Sequence, residues 1–139
     1  MQSSRENYLE TEVLTASPQK LQRMMLEAAV KNLRKAKHLW EENRDDTACE
    51  TLIRVQEIVT QILTGLNREI DAKLTGKVAA IYMFVFRTLN EAMQERSTEK
   101  LEECLGVLEV ERETWRLLCE KLEQEQPVDN GAARATLST

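Results

Sequence analysis

Apolar residues recur at alternating three- and four-residue steps along most of this chain, the spacing that places them on one side of an α-helix. From Pro18 to about Asn43 the stripe is Met25, Ala29, Leu33, Ala36 and Trp40. A polar break, Asn43-Arg44-Asp45-Asp46, follows. Thr47 is placed to cap a second helix over about 47–70, with a near-heptad seam of Ala48, Leu52, Val55, Val59, Ile62, Leu66 and Ile70. A short turn then falls near Asp71 to Lys73, or later near Thr75-Gly76. A third helix over about 74–95 carries Leu74, Val78, Ile81, Val85, Leu89 and Ala92 inward. The fourth, over about 98–125 and capped by Ser97 or Thr98, does the same with Leu101, Cys104, Leu108, Trp115, Cys119 and Leu122. Short links between amphipathic helices make sequential neighbours antiparallel. The pattern therefore predicts an all-α fold, an up-down-up-down four-helix bundle forming one domain over 1–125. Residues 1–16 read as a short leader, and 126–139, small, polar and Gly-containing after Pro127, as a flexible tail.

Placing side chains at about 100° per residue leaves several apolar residues facing away from that core. On the third helix the core direction lies near Val78, Tyr82, Val85 and Leu89. Phe84 falls on the far side beside Lys77, Thr88 and Glu91, with Met83 on its flank. On the fourth, Val110 and Leu117 sit opposite Leu108 and Trp115, and Gly106 continues their line. Ile53 on the second helix is displaced toward Arg54 and Glu57. Single exposed apolar residues are ordinary, and Ile53 alone fits that reading. The Phe84–Met83 pair, the Gly106–Val110–Leu117 line and a leader bearing Tyr8 and Val13 fit scattered exposure and an assembled partner-binding groove equally well. The candidate contact set is Tyr8, Val13, Ile53, Met83, Phe84, Val110 and Leu117.

Composition narrows the function classes. Charged residues make up 31% of the 139 positions, aromatics only 4%, and two prolines and four glycines interrupt little, all of which favours helices over a β-sandwich. No apolar run approaches a membrane span, and Met1-Gln2-Ser3-Ser4-Arg5 opens no signal core, so a soluble, cytoplasmic protein is expected. Cys49, Cys104 and Cys119 form no Cys-x-x-Cys spacing. With His38 the single histidine, no metal or cofactor is expected, and the cysteines read as cytosolic thiols, Cys104 and Cys119 near the core side of their helix as small hydrophobes. There is no Gly-rich phosphate loop, nucleophile elbow or His–carboxylate pairing, so no enzyme is read here. Pro18 to Trp40 holds six basic residues and one acidic, and Glu99 to Glu125 nine acidic and four basic. A nucleic-acid contact through Lys31, Arg34, Lys35 and Lys37 is disfavoured by the net charge of −5 and the absence of an aromatic platform among them. Opposite charges that select neighbouring helices explain the asymmetry better.

One stretch goes beyond physics to a family. Ser17 can cap the first turn and Pro18 suits the first helical position, where its missing N–H has no intrahelical partner. The wider pattern, Tyr8-x4-Val13-x-Thr15-Ala16-Ser17-Pro18-x-x-Leu21-x-x-Met24-Met25, resembles the opening of the flagellar secretion chaperones, the FliS family. Three later segments resemble that family in the same order: Arg54 to Asn67, Ile81-Tyr82-Met83-Phe84-Val85, and Leu108-x3-Arg112-Glu113-Thr114-Trp115. The chain departs from the family pattern at Leu26, Glu27-Ala28 and Met83. The resemblance implies a cytoplasmic, non-enzymatic export chaperone that holds the C-terminal segment of flagellin, with other flagellar assembly factors as further candidate partners. It also favours the groove over scatter. A monomer or weak dimer is expected. The alternatives are a helical adaptor that dimerises through the same stripes and a basic-helix regulator of nucleic acid.

Overall fold

The computed structural model describes residues 17–66 and 72–137, with side chains other than those of residues 72, 74 and 126–137. It holds four helices: α1 (Pro18–Glu41), α2 (Asp45–Thr64), α3 (Ala72–Glu95) and α4 (Thr98–Leu137). Ser17 starts α1 as its sequence suggests, its hydroxyl accepting from the Lys20 amide at 3.1 Å with Pro18 at the first position. Ser97 does the same for α4, accepting from the Lys100 amide at 3.1 Å.

The second helix differs from expectation at both ends. It begins at Asp45, so Thr47 lies inside the first turn. Asp45 and Asp46 there complement the helix dipole in place of a side-chain cap. It stops at Thr64 with Gly65 following, short of the predicted Ile70. Its seam beyond Leu66 lies outside the described residues. Helix α4 runs on to Leu137 where the composition reads a tail from 126. Pro127 is the point at which its i→i−4 ladder loses a donor.

Cross-helix contacts fix the topology. Arg34 meets Glu109 and Lys37 meets Glu102, so α1 and α4 run antiparallel. Tyr82–Glu111 and Lys100–Glu91 give the same sense to α3 and α4, and Gln56–Asn90 with Asp45–Arg96 to α2 and α3. Packing joins α1 to α2 and α4, and α3 to the same two, which makes a square of helices in up-down-up-down order. The α1–α4 ion pairs realise the charge asymmetry of the sequence. Being exposed, they select the pairing more than they stabilise it.

Both tight links at one end of the square follow a left-handed residue, Asn43 (φ 59°) and Arg96 (φ 50°). The Arg44 amide donates to the Leu39 carbonyl and the Ser97 amide to that of Ala92, the pattern of Schellman helix ends. Arg96 then clasps the two links together. Its guanidinium donates to both Asp45 oxygens (2.7 and 3.1 Å) and to the Trp40 carbonyl (2.7 Å), and lies 5.9 Å over the Trp40 ring.

The core is continuous from end to end and contains Leu33, Leu52, Val55, Val85, Leu89, Leu101 and Leu108. Helix α1 buries more than its predicted stripe. Leu26, Val30 and Leu39 are buried as well, while Met25 is half-buried, because α1 packs on two neighbours and needs a face wider than a single seam. On α3, Ile81 is 37% exposed rather than inward, and Tyr82 takes the core position at 1%. Thr88, placed with Phe84 by the angular reading, is instead buried. Leu122 and Trp115 are half-buried. Cys104 and Cys119 are buried, and desolvation pushes the Cys104 thiol up to about 12, consistent with a packed, unreactive side chain. Cys49 is exposed.

Candidate partner-binding grooves

Helix α3 packs on α2 and α4 through Ala79, Tyr82, Val85, Leu89 and Ala92, which leaves apolar residues on its solvent side uncovered. On the α4 side Phe84 is 42% exposed and on α4 itself Val110 is 65% exposed. They face one another across an apolar groove of about 530 Å³, whose other walls are Ala80, Ile81, Val107 and Glu111. Gly106 forms part of the same lining. A Cβ placed on it would meet nothing within 4 Å, so the glycine flattens the groove without relieving any contact inside the bundle. Leu117, 52% exposed, lies two turns along α4 from Val110, beyond the groove's lining.

Met83 turns to the opposite flank. It shares a shallow depression of about 190 Å³ with Leu63, Thr60, Phe86 and Arg87. Next to it, Ile53 lines a groove of about 470 Å³ with Gln56, Glu57, Thr60, Gln61 and Phe86. The predicted contact residues thus fall into two groups: Phe84 and Val110 between α3 and α4, and Ile53 and Met83 between α2 and α3, where Phe86 and Thr60 join them. Tyr8 and Val13 lie outside the described residues. A further cavity, about 370 Å³, opens at the end of the bundle where α1 begins, between Pro18, Met25, Ile62, Leu66, Val78 and Trp115.

Several groove residues escaped the sequence reading. Ile81 was assigned to the core, and Phe86 and Val107, both half-buried, belong to core and groove at once. The spacing held a signal for two of them, since Ile81 precedes Phe84 and Phe86 follows Met83 by three residues each.

The polar atoms around the α3–α4 groove are few and held in place. The Tyr82 hydroxyl, at the edge of the core, donates to the Glu111 carboxylate at 2.8 Å. Burial, and after it this carboxylate, push the Tyr82 phenol far above its ordinary value, so it remains a donor at any physiological pH. One turn further along α4, Arg116 binds both Glu113 and Glu120, and its hydrogen bond holds the Glu113 carboxyl below the usual range. Among the described residues no group of three His, Cys, Asp or Glu side chains is placed to hold a metal ion, and no helix is long and apolar enough to cross a membrane.

The arrangement places shallow apolar grooves on both flanks of one helix. Residues 1–122 match the sequence model of a family described as flagellar protein FliS. Over 109 residues, 78% of this chain and 80% of the relative, the sequence is 29% identical to the flagellar secretion chaperone FliS of Bacillus subtilis (strain 168).

Proposed function

The chain belongs to the FliS family of flagellar proteins, and from that membership we propose that it is a cytoplasmic flagellar export chaperone whose client is the C-terminal segment of flagellin. The observation that carries this reading is the pair of apolar grooves flanking α3, uncovered in a helix whose core face is already filled. A client terminus too poor in contacts to fold alone lays apolar side chains of short helical or extended stretches into them. Phe84, Val110 and Leu117 receive it on one flank, Ile53 and Met83 on the other, with Tyr8 and Val13 of the leader as further contacts. Covering those client residues removes the surface through which the client would polymerise. No enzymatic step enters this function.

Binding of this kind couples to ordering of the client, and its expected signature is a large negative heat-capacity change on titration with the C-terminal segment of the host's flagellin. Calorimetry at several temperatures measures it. Binding with a negligible heat-capacity change, or a saturated complex in which the segment's NMR spectrum stays that of an unfolded chain, removes the wrapping mechanism. The adaptor alternative makes a different forecast: a dimer whose mass does not change with dilution and whose formation hides both grooves.

A further inference from the structure

The carboxylates of α4 are unequal in their surroundings. Glu102 and Glu109 face cations of α1, and Glu113 and Glu120 share Arg116. Glu99 and Glu103 stand exposed to solvent. Glu111 alone of these lines the apolar α3–α4 groove. Its partner there is a neutral phenol, and it makes no ion pair among the described residues. A carboxylate half-buried beside Phe84 and Val110 loses part of its hydration, and the one hydrogen bond from Tyr82 leaves its charge without an opposite charge to meet. The Tyr82 hydrogen bond, meanwhile, fixes one of its oxygens and so fixes where the charge points. A preplaced anion at the edge of an apolar groove fits an occupant whose apolar face is bordered by a cation.

We propose that Glu111 is a specificity-determining residue of the α3–α4 groove, selecting client segments that bring a lysine or arginine beside the apolar side chains meeting Phe84 and Val110. The inference rests on the reading of this groove as a client seat. Tyr82 acts through Glu111 as its positioning residue. Docking closes the cation onto the free side of the carboxylate, in surroundings where water competes less than at the rim, so the contact discriminates among apolar segments that would otherwise fit alike.

Glu111→Gln tests this, because the amide oxygen still accepts from Tyr82 and only the charge is lost. In the full chain, titrated with the C-terminal segment of the host's flagellin, the variant is expected to bind about tenfold more weakly at low salt while melting as the parent does. The difference is expected to shrink as salt rises. Replacing the segment's lysines and arginines by glutamine one at a time against the unaltered chain gives an independent arm. One replacement is expected to reproduce the loss and to add nothing further in the Glu111→Gln background. If Glu111→Gln binds like the parent at every salt concentration while Phe84→Glu abolishes binding, Glu111 is only the acceptor for Tyr82 and the proposal is overturned with the groove intact. If both variants bind like the parent, the groove reading itself falls.

Discussion

Phe84→Glu is expected to leave the bundle folded and to weaken binding of the proposed client, while Val85→Glu, one residue along the same helix, is expected to unfold it. Phe84 is 42% exposed and Val85 is 0%. The first substitution falls on a groove wall outside the core, where the new carboxylate can reach solvent, so stability is expected to change by about 1 kcal/mol. The second places an unpaired charge among packed aliphatic side chains and costs several kcal/mol, a large share of the margin of a domain this size. Binding responds in the opposite order. Fully covering a phenylalanine is worth roughly 1.5 to 3 kcal/mol, of which a client adds only the part still exposed, and a glutamate in its place brings a charge to the apolar groove, so binding is expected to weaken about tenfold in a protein that melts normally. Thermal melts followed by calorimetry on the same samples separate the two effects. A Phe84→Glu protein that fails to fold, yet binds normally in whatever fraction does, would mean that α3 is rotated and the groove is not where it is placed here.

Gly106→Leu is expected to make the protein more stable and less able to bind, a combination that ordinary surface substitutions do not produce. A mid-helix glycine is less favourable than alanine by about 0.5 to 1 kcal/mol, and the space over Gly106 is open, so any side chain there gains helix propensity without a clash. Leucine, however, stands in the groove between the Phe84 and Val110 walls and takes the volume a client side chain needs. Forcing an extra group into a packed contact costs typically 1 to 3 kcal/mol, which lowers affinity about tenfold to a hundredfold. Gly106→Ala serves as the graded control: it raises stability by the same propensity gain, and any loss of binding it causes reports how closely the client backbone passes. Urea unfolding and titration with the flagellin segment read both quantities. Undiminished binding by the leucine variant would exclude the α3–α4 groove as the seat.

The bundle was legible in the sequence because a heptad-like seam survives error. Whether Met25 or Leu26 leads the first stripe, the helix still packs. What the pattern could not resolve was the exact width and direction of each buried face: on α1 Val30 and Leu39 join the stripe, and on α3 Ile81 and Tyr82 compete for the inward position. Tyr82 wins there because its ring is buried while its hydroxyl reaches Glu111, a pairing between helices that no local spacing encodes. The end of α2 was misplaced for the opposite reason. Apolar periodicity continues past Gly65 through Leu66 and Ile70, so the seam alone does not mark the stop at Thr64. Exposure of Ile53, Met83, Phe84, Val110 and Leu117 followed from angles alone. Their division between two flanks of α3 did not, since it depends on which neighbours the helix lies between.

The openness of the α3–α4 groove has a mechanical consequence. With Phe84 and Val110 both open to solvent on its walls, no described segment bridges over it, so the described residues neither thread nor enclose a chain lying in it. Force applied to one end of such a chain loads its contacts one after another, as in peeling tape, rather than all together as in shear. Each step then opposes only the few side chains at the moving front. A complex held firmly at rest can in this way be stripped by a modest steady pull, with the four helices beneath left folded and ready for another chain.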